Sequence, residues 1–471
     1  MVRGAFDVTR IAYLSYSSGE YDARSMRMAR SALEAGFEVV MYARWEPGLA
    51  RVEQREGYQL IRAPWDWQQA IPRFGRRRSQ DAQASDEDRA LVEDRAAASD
   101  TPRARGRARI LFTPARAPFR LARRTVRPWW RLAQKYPIRP IGWSNALLDV
   151  AEPADIWHGM WAGSLPALAA LRRRHGGRTI YDSRDVYMES RNLATAPRLL
   201  RSLQARFERR WARQADRVIT VNGAYAKLVA ASLGVPAPPV IMNCPESWDP
   251  PSPRPDLIRA ALDLAPATRI VLYQGQLISD RGIEQAMDAI LDVPDAVLAL
   301  LGYGEWQERY RAAIQLPPYA GRVHWLPAVH PSELVAWTAS ADVMVMPIQP
   351  TSLNHRFTTP QKLFESIAAG VPVVASDLPG MAEVVREIGA GALCDPLLPA
   401  SIAEGIRSIL GLPDAERAGM QSRILAAAHD RYNWAAQADR LLALYRDLVD
   451  ERASRSTGRS LPPPPGNGLV G

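Results

Sequence analysis

Short apolar runs alternate along most of the chain with stretches whose apolar positions recur at helical spacing. Runs at Arg10–Tyr16 (RIAYLSY), Phe37–Tyr42, Tyr58–Ala63, Ala154–Met160 (ADIWHGM), Arg178–Ser183 (RTIYDS) and Arg217–Asn222 (RVITVN) predict strands. Residues 22–35 and Arg198–Ala215 predict helices among them. A second set of strands is predicted at Ile270–Tyr273, Ala296–Leu301, Val323–Leu326, Val343–Pro347 and Val371–Ala375, with helices at Gly282–Leu291 and Ser332–Ala339. Strand, loop, helix, strand is the repeating unit of a parallel α/β sheet, so the fold class is α/β with two such units. Between them, residues 235–256 (VPAPPVIMNCPESWDPPSPRPD) form a proline-rich boundary. Trp434–Asp450 predicts a closing amphipathic helix. The division is therefore 1–243, 244–433, a closing helix over 434–452 and a disordered tail over 453–471.

Residues 65–148 interrupt the rhythm as an insert in the first unit. Gln80–Asp100 is polar and charged, reading as a solvated helix or as disorder. Residues 103–148 contain no acidic residue, and their arginines are interleaved with Leu111, Phe112, Phe119, Trp129, Trp130 and Trp143. Two readings stay open: an interfacial segment for anionic lipid headgroups, or a helix pair packing its tryptophans on the domain. A nucleic-acid arm lacks any accompanying binding motif, and no nucleic acid is expected as a partner.

Composition refines this only slightly. The net charge of +10 suits an anionic partner, whether lipid or phosphorylated substrate. Two cysteines far apart in sequence, Cys244 and Cys394, fit a reducing compartment. No run of 18 apolar residues exists, and MVRGAFDVTR has no apolar signal core. The expected location is cytoplasmic, with peripheral attachment to the inner membrane face if the lipid reading of 103–148 holds. The six histidines include no metal-type pair, so no metal site is predicted.

The candidate chemistry concentrates in NHRFTTPQKLFESIAAGVPVVASD, residues 354–377. Thr359 reads as an N-cap and Pro360 as the first helical residue. Leu363, Phe364, Ile367 and Ala368 form the apolar stripe, and Gly370 ends the helix. Lys362 breaks the local rule, because a cation in the first turn opposes the helix dipole. A bound anion would resolve the conflict, since exposed N–H groups and Lys362 would share it. The chain has only two other lysines, Lys135 and Lys227. Glu365 follows on the same face, where a carboxylate can accept from a sugar diol. Phosphate at the tip and diol below describe a nucleotide; the competing reading is a surface helix with a Lys–Glu pair. Loops at strand ends add Gly19, then Gly275 and Arg281 in YQGQLISDRG, then Gly302 and Gly304 in LGYGE. No GxGxxG follows the first strand, which disfavours a dehydrogenase.

Together QGQLISDRG, LGYGE and TTPQKLFESIAAGVPVVASDLPG resemble the GT-B glycosyltransferases, family 4 in particular, and YDARSMRMARSALEAGFEVV, TIYDSRDVY and NCPE are similar to bacterial members. The resemblance implies two Rossmann-like α/β/α domains facing a central cleft, the first binding acceptor and the second a nucleotide-sugar. It implies a donor-binding set of Gly19, Gly275, Gln276, Arg281, Gly302, Gly304, Thr359, Pro360, Gln361, Lys362, Leu363 and Glu365. Glu365 matches the family's ribose-holding glutamate, whereas Phe357 stands where a second glutamate usually meets the donor sugar. Arg281 falls where the family carries a diphosphate-gripping lysine. Gln276 replaces its other basic residue, for which Lys362 compensates. Arg184 occupies the position of a histidine found in many relatives; with Asp185 and His158 it forms the catalytic set, orienting acceptor or sugar. The implied activity is retaining transfer, of hexosyltransferase type, from a UDP- or GDP-sugar to a lipid-linked acceptor or cell-surface glycan precursor, without cofactor or metal. The alternatives are a GT-B sugar-nucleotide epimerase or hydrolase, and an inactive sugar-nucleotide-binding protein, for which Phe357 and Arg184 speak.

Overall fold

The computed structural model describes residues 8–20, 22–64, 138–190, 193 and 197–456. A first sheet holds β1 (Arg10–Ser15), β2 (Glu38–Arg44), β3 (Val52–Arg55), β4 (Tyr58–Ala63), β5 (Ile156–Met160), β6 (Arg178–Ser183) and β7 (Arg217–Thr220) in the order β3-β4-β2-β1-β5-β6-β7. All its pairs are parallel except β3–β4, an antiparallel edge hairpin. A second, wholly parallel sheet holds β8 (Arg269–Gln274), β9 (Ala296–Leu301), β10 (Val323–Leu326), β11 (Val343–Met346), β12 (Val373–Ser376) and β13 (Gly391–Cys394) in the order β10-β9-β8-β11-β12-β13. Strand order reverses between β1 and β5 and again between β8 and β11. Such reversals open a crevice at the carboxyl ends of the strands.

Helices cover both faces of each sheet, which is why β8, β9 and β11 are continuous apolar runs without alternation. β3 and β13 were not predicted. VEQR is a half-exposed polar edge, and GALC is short and begins with glycine, so neither carries the apolar signal of a central strand. The strand predicted from Val371 starts at Val373, because Pro372 has no N–H to give a ladder.

The Trp434–Ser456 helix leaves the second lobe and packs on the first. Leu441, Tyr445 and Leu448 are buried with Ile11, Tyr13 and Met28. It runs to Ser456, past Asp450 and into the stretch expected to be tail; residues 457–471 lie outside the described residues. Of the insert, 65–137 also lies outside them. The end of it is the Arg139–Val150 helix, whose Trp143 is fully buried and donates from Nε1 to the Ala43 carbonyl at 3.2 Å. For Trp143, then, packing on the domain is the observed outcome. Among the described residues no helix is long and apolar enough to cross a membrane.

Hydrogen bonds tie the lobes across the cleft. Asn222 Nδ2 donates to the Phe357 carbonyl at 3.0 Å and to Thr359 Oγ1 at 3.1 Å. Asn354 receives the Val186 N–H at 3.0 Å and donates to its carbonyl at 3.2 Å.

Candidate functional site

A cavity of about 480 Å³ opens at the carboxyl ends of β8 and β9, between the lobes. Ala23, at the start of the Ala23–Glu34 helix, lines it from the first lobe. The second lobe contributes Tyr273, Gln274, Gly275, Gln276, Arg281, Gly302, Tyr303, Ala328, Val329, Pro331, Leu334, Pro360, Gln361, Lys362 and Glu365. The loops after β8 and β9 reach it only because they cross in contact. A Cβ on Gly302 would lie 1.9 Å from the Gly275 carbonyl oxygen.

The Gln361–Ala368 helix starts one residue later than its sequence suggests. Pro360 is the N-cap, with φ −67° and ψ 148°, and no side chain caps the turn. Thr359 is not the cap, because Pro360 after it is still extended, and the Thr359 hydroxyl accepts from Asn222 instead. The uncapped first turn therefore leaves amide donors without a side-chain acceptor where Pro360, Gln361 and Lys362 line the cavity.

Lys362 Nζ sits 4.0 Å from the centre of the Tyr273 ring. Burial above all, and Arg281 after it, lower its pKa to about 7, with Glu365 only partly offsetting them. Arg281 and Lys362 thus face one cavity together. Below lies Glu365, buried, with Oε1 accepting from Gln361 Nε2 at 2.8 Å and Oε2 from Gln274 Nε2. Gln274 Oε1 in turn accepts from Thr338 Oγ1 at 2.6 Å. Burial raises the Glu365 pKa, and hydrogen bonds from Gln361 and Gln274 oppose the rise. Each carboxylate oxygen keeps a lone pair for a further donor such as a vicinal diol.

Of the residues proposed from sequence, Gly275, Gln276, Arg281, Gly302, Pro360, Gln361, Lys362 and Glu365 meet at this cavity. Four others do not. Leu363 is fully buried in the core, because its position on the helix faces the sheet. Thr359 turns to Asn222. Gly304 packs on the Leu277 backbone, and Gly19 is buried under Leu60 and Ala43. Phe357 ends the Leu353–Phe357 helix and packs against the first lobe's core. Sequence reasoning missed Gln274, Thr338, Tyr273 and Ala23. The one signal was Gln274 itself, a polar residue closing an apolar strand just before Gly275.

In the first lobe two catalytic candidates lie outside the lining of the cavity. His158 is fully buried, its Nδ1 2.7 Å from the Tyr445 hydroxyl, and burial drives its pKa to about 3. It lies in the core beneath the closing helix. Arg184 is committed to neighbours: Nη1 donates to Asp22 at 2.7 Å, Nε to Asp182 at 3.2 Å and Nη2 to Ser25 Oγ at 3.0 Å. A guanidinium so little exposed needs such partners. Asp185 differs. It is exposed, and desolvation by the surrounding protein raises its pKa, with Arg184 and Arg281 of the facing lobe only partly offsetting the rise.

Two family models match the chain in tandem: glycosyltransferase family 4 over residues 101–244 and glycosyl transferases group 1 over residues 256–424. A D-inositol 3-phosphate glycosyltransferase of Segniliparus rotundus is 29% identical over 196 residues, 40% of this chain and 42% of that protein. The chain thus spans less than half the length of that curated relative. Sucrose-phosphate synthase from Thermosynechococcus elongatus superposes with a TM-score of 0.63 at 19% identity, covering 94% of this chain and all of that one. Anabaena HepE in complex with UDP superposes at 0.58 and 15% identity, covering 93% of this chain and all of that one. At these identities the likeness is one of fold.

Proposed function

This chain belongs to the bacterial family 4-like GT-B glycosyltransferases, and from that premise we propose that it moves a sugar from a UDP- or GDP-sugar to an acceptor with retention at the transferred carbon. The observation that carries the reading is the pair Arg281 and Lys362, held beside an uncapped helix start above the buried Glu365. The two cations and the free amides bind the diphosphate, while Glu365, oriented by Gln274 and Gln361, takes the ribose hydroxyls. As the sugar–phosphate bond breaks, negative charge grows on the departing diphosphate, where these donors are already aimed. The diphosphate oxygen takes the acceptor's proton on the same face, so no enzymic nucleophile is required. Asp185, facing Arg281 across the cleft, orients the acceptor. The reading as an inactive sugar-nucleotide-binding protein retains one specific support, Phe357 in place of the usual glutamate.

Calorimetric titration with UDP and GDP tests the donor site. One of them should bind, and Arg281→Ala should raise its dissociation constant about tenfold, the value of one charge-assisted hydrogen bond at its weaker end. Unaltered affinity in Arg281→Ala would remove the diphosphate assignment. Release of free nucleotide only when a glycan acceptor is present separates transfer from hydrolysis.

A lipid-linked acceptor is the finer form of the proposal, and the Arg198–Ala212 helix supports it. Leu199, Leu203 and Phe207, four residues apart in turn, are 75%, 47% and 37% exposed. Arg206 and Arg210 stand on the same exposed face. An apolar stripe with interleaved arginines matches an anionic lipid surface, each arginine adding about 1 kcal/mol. Vesicles rich in phosphatidylglycerol should sediment the protein, and the Leu203→Asp, Phe207→Asp double variant should stay in the supernatant. Equal sedimentation of both would remove this helix from the lipid contact.

A further inference from the structure

We infer that Trp161 is a stacking platform for a neutral pyranose ring of the acceptor, a subsite that rests on the transferase reading above. Trp161 follows β5 directly, at the reversal of the first sheet, with φ 67° and ψ 154°. That backbone region belongs almost wholly to glycine. The strain is held in place from both sides: the Trp161 N–H donates to the Asp182 carbonyl at 3.2 Å, and its own carbonyl accepts from Ser164 N at 3.0 Å and Ser164 Oγ at 2.8 Å. Yet the side chain that imposes the strain is not packed away. Trp161 is 49% exposed, although the turn after it, Ala162–Ser164, is buried. A large apolar side chain held in a glycine conformation and left half in solvent contributes little to the fold in return. Strain of this kind concentrates where a site needs a group in one orientation.

The location identifies the ligand. The Arg184 guanidinium lies 5.8 Å from the indole centre and is bonded to Asp22, whose neighbour Ala23 lines the nucleotide cavity. Asp185, which is exposed, follows Arg184 in the chain. The indole thus borders Arg184, which is joined through Asp22 to the cavity's edge and precedes Asp185 in the chain. Arg184 is already neutralised by Asp22 and Asp182, so the patch does not select a phosphate. A flat aromatic face, electron-rich at its centre, meets the weakly positive C–H face of a pyranose, while Asp185 accepts from one of its hydroxyls.

The test uses the full chain with saturating UDP and a panel of methyl pyranosides (gluco, manno, galacto and N-acetylglucosamine) as probes in saturation-transfer NMR. At least one glycoside should receive saturation on its ring protons. Trp161→Gly should weaken that contact about three- to tenfold, and Trp161→Phe should keep most of it. Because glycine suits the backbone here, Trp161→Gly should melt at or above the temperature of the unmodified protein, so the loss is not one of folding. UDP titration should be the same in all three proteins. Saturation that is equal in Trp161→Gly, or absent for every glycoside with UDP bound, would overturn the platform. Failure of the unmodified protein to bind UDP or GDP at all would instead sink the transferase reading on which it rests.

Discussion

Lys362→Met should make the ligand-free protein more stable and its nucleotide binding weaker, through one substitution. The native lysine holds its proton only up to a pKa of about 7, against 10.5 in the unfolded chain. The unfolded state therefore binds a proton that the native state resists, and folding is penalised at every pH below 10.5. The penalty is complete below about pH 7 and fades as pH rises toward 10.5. A displacement of that size corresponds to a cost on the order of a few kcal/mol. Methionine keeps the length, sheds the charge and still packs on Tyr273. The melting temperature should rise most at pH 7 and below, with little difference near pH 10. With nucleotide the sign reverses. A diphosphate restores the lysine's proton, so losing the lysine forfeits about 1.5–3 kcal/mol, roughly a ten- to hundredfold weaker UDP complex. In the unmodified protein, affinity should fall as pH climbs above 7, with proton uptake seen as a buffer-dependent heat. In Lys362→Met that fall should be absent. A variant that melts lower and binds UDP normally would show that Lys362 belongs to the fold.

That lysine was legible in the sequence because it broke a local rule, a cation in the first turn of a helix. Glu365 was legible beside it because three residues along a helix share a face. The central strands could be read because burial on both faces leaves long apolar runs. Other parts follow no local rule. Gln274 matters through Glu365, 91 residues away, and Thr338 through Gln274. No periodicity carries such pairings. The helix start was misplaced by one residue because Thr-Pro satisfies two capping arrangements equally, and Asn222, in the other lobe, decides between them. The partners of Arg184 were hidden for the same reason. Its position suggested chemistry, but Asp22, 162 residues away, and Asp182 claim its guanidinium.

The two lobes thus treat buried charge in opposite ways, and the second large effect follows from the contrast. At the carboxyl ends of β1, β5 and β6, charge is balanced within the protein. Arg24, 2% exposed, donates to Asp182 at 3.0 Å, and Arg184 bridges Asp182 and Asp22. Burial would raise the Asp182 pKa, but Arg24 and Arg184 outweigh it and hold the carboxylate at about 2. Asp182→Asn keeps the shape but leaves Arg24 with no carboxylate, only the Met242 carbonyl, and Arg184 with Asp22 alone. Breaking such a network by removing one partner costs about 3–5 kcal/mol. The native pKa lies below the unfolded 3.8, so this stability is fully present above 3.8 and is lost as pH falls toward 2. Urea unfolding should therefore show a gap of several kcal/mol between protein and variant at pH 7, narrowing below about pH 4. UDP affinity should hold, because the network is complete without ligand. On the proposed donor reading, a diphosphate balances the charge in the second lobe, which is why Lys362→Met should lose binding and gain stability while Asp182→Asn loses stability alone. A variant Asp182→Asn that unfolds like the parent at pH 7, or that loses UDP binding while folded, would erase this distinction.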